Sequence, residues 1–186
     1  VHLISAMILE VPNMAQKSFA KRKTISKSLR RALEYYDRQV FFGPPETTKE
    51  HIIVAAKSLM VGDWQSCYNH LTPLEDMWSL MVNSEQVKAM LLERIKVEAM
   101  RTYLFSYGHH YDTVAVNHLS SMFGLEERLV HGIVSKMMIN EELYAAWDQP
   151  TNSFKMYRSE PTKLQQLALQ LSETTTAYCE WNERMY

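Results

Sequence analysis

Apolar and polar positions recur along most of this chain with the three- and four-residue spacing of α-helices. Residues 2–12 carry Leu3, Met7, Ile8 and Val11 on one side. Pro12 with Asn13 is expected to interrupt that helix, because proline lacks the N–H that would continue the ladder. A second helix is predicted over 21–36, striped by Ile25, Leu29, Ala32 and Leu33, and Gly43-Pro44-Pro45 stops the chain after it. Residues 46–61 resume the pattern with Ile52, Ile53, Ala55, Ala56 and Leu59. Gly62-Asp63 then turns into a short helix over 64–71 that ends before Pro73. The strongest pattern spans 84–107, with Val87, Met90, Leu91, Ile95, Ala99 and Leu104 on one side and Lys88, Glu93 and Lys96 on another. Helices joined by tight turns, each burying one face on a neighbour, predict a helical-repeat segment of the right-handed solenoid type. No exact sequence period marks it.

After Gly108 the pattern changes, and a boundary is expected near residues 108–112. Thr113-Val114-Ala115 reads as a short strand. Ala115, Leu119, Met122 and Phe123 then face a core, Gly124 breaks the helix, and Leu125, Val130, Ile133, Val134 and Met137 stripe another. Helix, glycine turn and helix make a helix-turn-helix. Residues 143–147 and 154–157 read as two strands across the turn-rich Asp148-Gln149-Pro150-Thr151-Asn152, so a small β-hairpin follows and the unit is expected to be a winged helix. Pro161 suits the first turn of a last helix striped by Leu164, Leu167, Ala168, Leu171 and Tyr178, with Gln165, Gln166 and Gln170 turned away. The predicted organisation is mainly α: a helical-repeat part over 1–110, a winged helix over 111–160 and a C-terminal helix over 161–186.

Composition supports this picture and removes several classes of function. The 186 residues are 46% hydrophobic and 22% charged, enough for a core that needs no staple. Only five glycines and six prolines interrupt a chain with twelve methionines, which favours helix. Cys67 and Cys179 form no C-x-x-C or zinc spacing, so a reducing cytosolic or nuclear compartment is expected. No apolar run reaches the length of a membrane span. The start at Val1, inside an apolar pattern, reads as a piece of a longer chain.

Enzymatic readings find no support. Five scattered glycines make neither a dinucleotide fingerprint nor a phosphate loop, so no cofactor or small-molecule substrate is expected. Ser18-Phe19-Ala20-Lys21 matches S-x-x-K but lacks the companion segments of such a site. His109-His110 has no carboxylate or further His at i+4 and reads as a solvated loop. Glu126-Glu127 and Glu141-Glu142 suit helix ends, where carboxylates cap or solvate.

Two features point to partners. The helix over 126–140 sets Arg128 and Lys136 against Glu126 and Glu127, and apolar residues dominate it. It is therefore expected to meet protein rather than DNA. Val130, Ile133, Val134 and Met137 are assigned to core, while Met138 and Ile139 are left open between core and interface. Lys17, Lys21, Arg22, Lys23, Lys27, Arg30 and Arg31 put seven positive charges in a window without an acid, although the formal charge of the chain is −1. Lys23, Lys27, Arg30 and Arg31 share one helix side. A phosphate backbone suits that face; so does solvent, with carboxylates supplied from elsewhere.

Helical repeats running into a winged helix and a terminal helix resemble the PCI domain of the proteasome lid, the signalosome and a translation initiation complex. The resemblance is most specific to the c-subunit family of eukaryotic translation initiation factor three. It is carried by residues 5–15, by Gly43-Pro44-Pro45-Glu46, Gly62-Asp63-Trp64 and Arg101-Thr102-Tyr103-Leu104-Phe105, and by residues 134–143. Asp148-Gln149-Pro150-Thr151, Glu160-Pro161-Thr162, residues 167–171 and Asn182-Glu183-Arg184 complete it. Residues 16–20, 74–84 and 108–110 depart from the family pattern.

The resemblance implies a non-enzymatic scaffold that binds other PCI and MPN subunits and docks on the small ribosomal subunit during start-site selection and recruitment of mRNA and initiator tRNA. The residues assigned on this basis are Lys21, Arg22, Lys23, Lys27, Arg30 and Arg31 for ribosomal RNA or protein, and Met138, Ile139, Leu164, Leu167, Leu171 and Tyr178 for sister subunits. Two readings stand beside it: a PCI subunit of the proteasome lid or signalosome, and a DNA-binding winged helix.

Overall fold

The computed structural model describes residues 2–15, 26–39, 43–74, 78–80, 83–157 and 162–185. They fall into two units, 2–157 and 162–185. In the first unit, α1 (His2–Ala15), α2 (Lys27–Arg38), α3 (Thr48–Val61), α4 (Trp64–Leu71) and α5 (Ser84–Tyr107) precede a single 3-10 turn, Gly108–His110. Then come β1 (Thr113–Ala115), α6 (Val116–Phe123), α7 (Glu127–Ile139), β2 (Ala145–Asp148) and β3 (Ser153–Met156). The second unit is one helix, α8 (Lys163–Met185).

Local chemistry sets the helix ends. Thr47 and Glu50 form a capping box: the Glu50 N–H donates to the Thr47 hydroxyl at 3.3 Å, and the Thr47 N–H donates to the Glu50 carboxylate at 3.4 Å. Hydrogen bonds from Glu46 and Thr47 hold the Glu50 carboxyl below its ordinary range. At the other end of α3, Gly62 takes a left-handed conformation with φ of 89°, and a Cβ there would stand 3.2 Å from Cβ of Tyr103 on α5. Glycine thus serves both the turn and the close approach of α5. Asp63 follows as the cap of α4, accepting from the N–H groups of Gln65 and Ser66 at 3.1 Å each. Gly124, with φ of 60°, makes the corresponding turn between α6 and α7.

Helix α5 packs against α1, α3, α4 and α6, which makes it the axis of the first unit. Its buried residues are Ile95, Ala99, Met100, Thr102 and Leu104, so its second half is covered on several sides. This corrects the single stripe expected for it: Met90 is exposed, whereas Met100 and Thr102 are buried. The Thr102 hydroxyl donates to the Glu98 carbonyl at 2.7 Å, which lets a polar side chain enter the core. One apolar cluster runs from Met7 and Val11 through Leu59 and Leu104 to Phe123, Val134 and Phe154.

The three strands lie in the order β1-β3-β2, all antiparallel, with Val114 opposite Phe154 and Phe154 opposite Trp147. Strand β2 begins two residues later than expected, because the N–H groups of Glu142 and Leu143 both turn back to the Met137 carbonyl, and β3 begins one residue earlier.

Three further expectations are corrected. Helix α1 continues through Pro12 to Ala15; Pro12 is buried beside Val11, and the apolar contact offsets the lost backbone bond. Ala115 is exposed, because β1 buries only Val114, and the core stripe of α6 is Val116, Leu119 and Phe123. Helix α2 extends to Arg38; the part of its predicted span over 21–25 lies outside the described residues, as do Ser18 and Lys21 of the S-x-x-K match. For α8, Thr162 and Gln165 exchange capping hydrogen bonds of 2.9 and 3.4 Å, so its first residue is Lys163. Pro161 lies outside the described residues.

Candidate interaction surfaces

Two small cavities are lined by described residues. One cavity of about 230 Å³ is lined by Tyr103, Tyr111, Val114 and Leu119 among others, and another of about 190 Å³ by Tyr36, Pro44, Pro45 and Glu50 among others. Both fall below the roughly 300–1,000 Å³ of sites that bury a small molecule. In the first, the Tyr103 and Tyr111 hydroxyls share a 2.6 Å hydrogen bond, and burial together with that bond pushes the Tyr103 phenol up to about 12. The bond uses both hydroxyls locally.

No group of three metal-ligating side chains occurs among the described residues. Cys67 is buried and its thiol is pushed up to about 12 by desolvation, which leaves almost no thiolate at neutral pH. His109 and His110 are exposed in the 3-10 turn, with ring centroids 3.8 Å apart. Among the described residues, no helix is long and apolar enough to cross a membrane.

The basic face is partly described. Lys21, Arg22 and Lys23 lie outside the described residues. Lys27, Arg30 and Arg31 are exposed on α2; Lys27 and Arg31 lie opposite the buried Leu29 and Leu33, and Arg30 on the flank. Arg30 pairs with Glu34 one turn on, Nε to Oε1 at 2.7 Å, so part of this charge is answered within its own helix. Lys27 and Arg31 have no ion pair among the described residues.

The apolar candidates divide by helix. On α7, Met138 is half-buried and packs on the core, whereas Ile139 is 80% exposed. On α8 no residue is buried. Leu164, Leu167, Leu171 and Tyr178 are all exposed, and so are Trp181 and Met185 further along. Leu164, Leu171, Tyr178 and Met185 recur every seven residues, while Leu167 and Trp181 take the intermediate position of the same heptad. That is the spacing with which one helix packs along others. Trp181 and Met185 are additions to the stripe expected from sequence, and the seven-residue interval is the signal that finds them. The Tyr178 and Trp181 rings meet edge to face at 6.0 Å, which prearranges a broad aromatic surface.

Sequence comparison gives the class of the chain. Residues 71–158 match the PCI domain, a span that runs from the end of α4 through the three-stranded sheet, so this is a PCI-domain chain. Over its full length it is 44% identical to the C subunit of eukaryotic translation initiation factor 3 of Danio rerio, 43% to that of Culex quinquefasciatus, and 45% to that of Mycosarcoma maydis. The alignments cover 20%, 21% and 21% of those proteins, so the chain spans about a fifth of the curated relatives it matches. The chain thus carries a PCI domain and is similar along its whole length to the C subunits of eukaryotic translation initiation factor 3.

Proposed function

We propose that the chain is a non-enzymatic scaffold segment of a translation initiation factor complex in the cytoplasm. Its first 110 residues act as a right-handed helical-repeat support, residues 111–160 as a winged helix, and residues 161–186 as a helix that joins a bundle with other PCI and MPN subunits. The observation that carries this reading is the exposed heptad stripe of α8. A helix of this length with one apolar seam gains stability chiefly by packing that seam, and a large exposed apolar strip marks an interaction site. The winged-helix reading draws on the order of β1, α6, α7 and the β2–β3 hairpin.

Replacing Leu164, Leu167 and Leu171 by glutamate tests it. The triple variant is expected to co-purify with its sister subunits at least tenfold less well, a loss of about 1.4 kcal/mol or more. Folding of 2–157 should be unchanged. Undiminished assembly contradicts the scaffold reading.

The second part of the proposal is that the basic face from Lys21 to Arg31 docks on the small ribosomal subunit during start-site selection and recruitment of mRNA and initiator tRNA. Lys27 and Arg31, without ion pairs among the described residues, supply the charge for a phosphate backbone. Reversing Lys23, Lys27 and Arg30 to glutamate is expected to weaken cosedimentation with the small ribosomal subunit. Its salt dependence should flatten by about one unit of slope for each phosphate no longer neutralised. Assembly with sister subunits should persist. An unaltered salt profile removes the ribosomal part of the proposal.

A further inference from the structure

Helix α7 buries Val130, Val134 and Met137 on one side. At 3.6 residues per turn, the face diametrically opposite consists of Arg128, Gly132 and Ile139, flanked by Leu129 and Lys136. This outward face is unusual in three ways. Leu129 is 54% exposed and Ile139 80% exposed, so two large aliphatic side chains stand in solvent on one short helix. Arg128 and Lys136 are two turns apart and have no ion pair among the described residues. Glu127, the acid within α7, projects about a third of a turn away from the centre of this face.

The third feature is Gly132. Glycine is the poorest helix former after proline. At Gly62 and Gly124 a positive φ requires it, but Gly132 has no positive φ, and a Cβ built on it would meet nothing within 4 Å. The chain itself therefore gives no reason for its absence of a side chain. A glycine at the centre of an exposed face allows the backbone of another element to approach closely.

We propose that the outer face of α7 docks an acidic amphipathic helix of a partner protein, which crosses α7 at Gly132. Its aliphatic side chains cover Leu129 and Ile139, and its carboxylates pair with Arg128 and Lys136. Charge complementarity selects an acidic occupant, and the two aliphatic residues beside the glycine favour an amphipathic helix over a nucleic-acid backbone, which would leave them wet. On the other flank of the face, His131 stacks on Trp147 with ring centroids 4.0 Å apart, and Trp147 donates to the Ser135 hydroxyl at 3.1 Å, so the hairpin buttresses the helix that offers the site.

The α7 site rests on the scaffold reading for the idea that this helix meets protein, and it adds a partner surface of stated chemistry. It is tested on the full-length protein by fluorescence anisotropy with three probes: a labelled amphipathic peptide whose leucine-alanine face is flanked by glutamates, the same peptide with lysines in place of the glutamates, and a polyuridine RNA. The glutamate peptide should bind saturably and the lysine peptide should not. Gly132→Leu should weaken that binding at least tenfold while the melting temperature holds or rises, because the added side chain enters open space on a helix it favours. The double variant Arg128→Glu, Lys136→Glu should transfer the preference to the lysine peptide.

Equal binding of both peptides, indifference of the glutamate peptide to Gly132→Leu, or loss of RNA binding in that variant would each overturn the proposal. The tail variant described above tests assembly by co-purification. Failure there leaves the α7 result standing, and failure here leaves the α8 result standing.

Discussion

Phe154→Ala is expected to destabilise the first unit by about 4 kcal/mol, roughly a thousandfold in the folding equilibrium. Phe154 is fully buried on β3, the middle strand, with Val114 opposite it on one side and Trp147 on the other. Its ring meets that of Trp147 edge to face, with centroids 5.5 Å apart. Truncation removes a large apolar side chain from the middle of the sheet, and neighbours on both sides are held by backbone pairing, so the cavity has little freedom to collapse. Typical domain stability is about 5–15 kcal/mol, so the variant keeps only a thin margin. Urea unfolding followed by circular dichroism measures the loss. Phe154→Leu, which retains most of the volume, should cost about 1 kcal/mol. A loss below about 1 kcal/mol for the alanine variant would show that the site repacks, contrary to the geometry.

Much of this architecture is legible in the sequence because strong punctuation coincides with strong periodicity. Gly62-Asp63 separates two striped segments, and α3, α4 and α5 lie within two residues of their expected limits. The misreadings share a cause: each depends on what lies across from a residue. Proline is a breaker by local rules, yet Pro12 sits inside α1 because tertiary burial outweighs one backbone bond. A stripe assignment for α5 assumes one neighbour, whereas this helix has several, and Met100 and Thr102 are drawn inward. Ala115 and Val116 exchange roles because the chain switches from a strand repeat of two to a helical repeat between them.

The surfaces are legible to different degrees for the same reason. The α8 stripe needs only spacing to be seen, and the apolar residues on it are exposed. On the outer face of α7 only Ile139 is singled out by sequence; Leu129 and Gly132 join it once the buried side of the helix is known. Ion pairing is the least legible of all. Glu34 lies just beyond the acid-free window and answers Arg30. Glu142, expected to cap or solvate, instead reaches an arginine 41 residues earlier in the chain.

That arginine is Arg101, and its removal should be the second-largest single-residue effect. Its Nη1 lies 3.0 Å from Glu98 and its Nη2 2.9 Å from Glu142, with the Phe105 ring 5.9 Å from the guanidinium carbon. The side chains of Arg101, Glu98 and Glu142 are 25%, 15% and 19% exposed. Arg101→Ala leaves two largely buried carboxylates facing each other without the guanidinium that pairs with both, which should cost about 3 kcal/mol at neutral pH.

The pH dependence separates this from a simple packing loss. Burial raises the Glu98 carboxyl above its ordinary value of 4.5, and the neighbouring Arg101 opposes that rise. A carboxyl whose folded-state pKa lies above its unfolded value binds more protons when folded, so its contribution to stability falls as pH rises through that window. Deleting Arg101 extends the window of Glu98 upward. The deficit of the variant is therefore largest above the shifted Glu98 pKa and shrinks as pH falls toward 4.5. Urea unfolding of native and variant proteins at about pH 7 and about pH 5 should show a smaller difference at the lower value. Equal differences at both would mean that lost packing on Phe105, rather than unpaired charge, sets the cost.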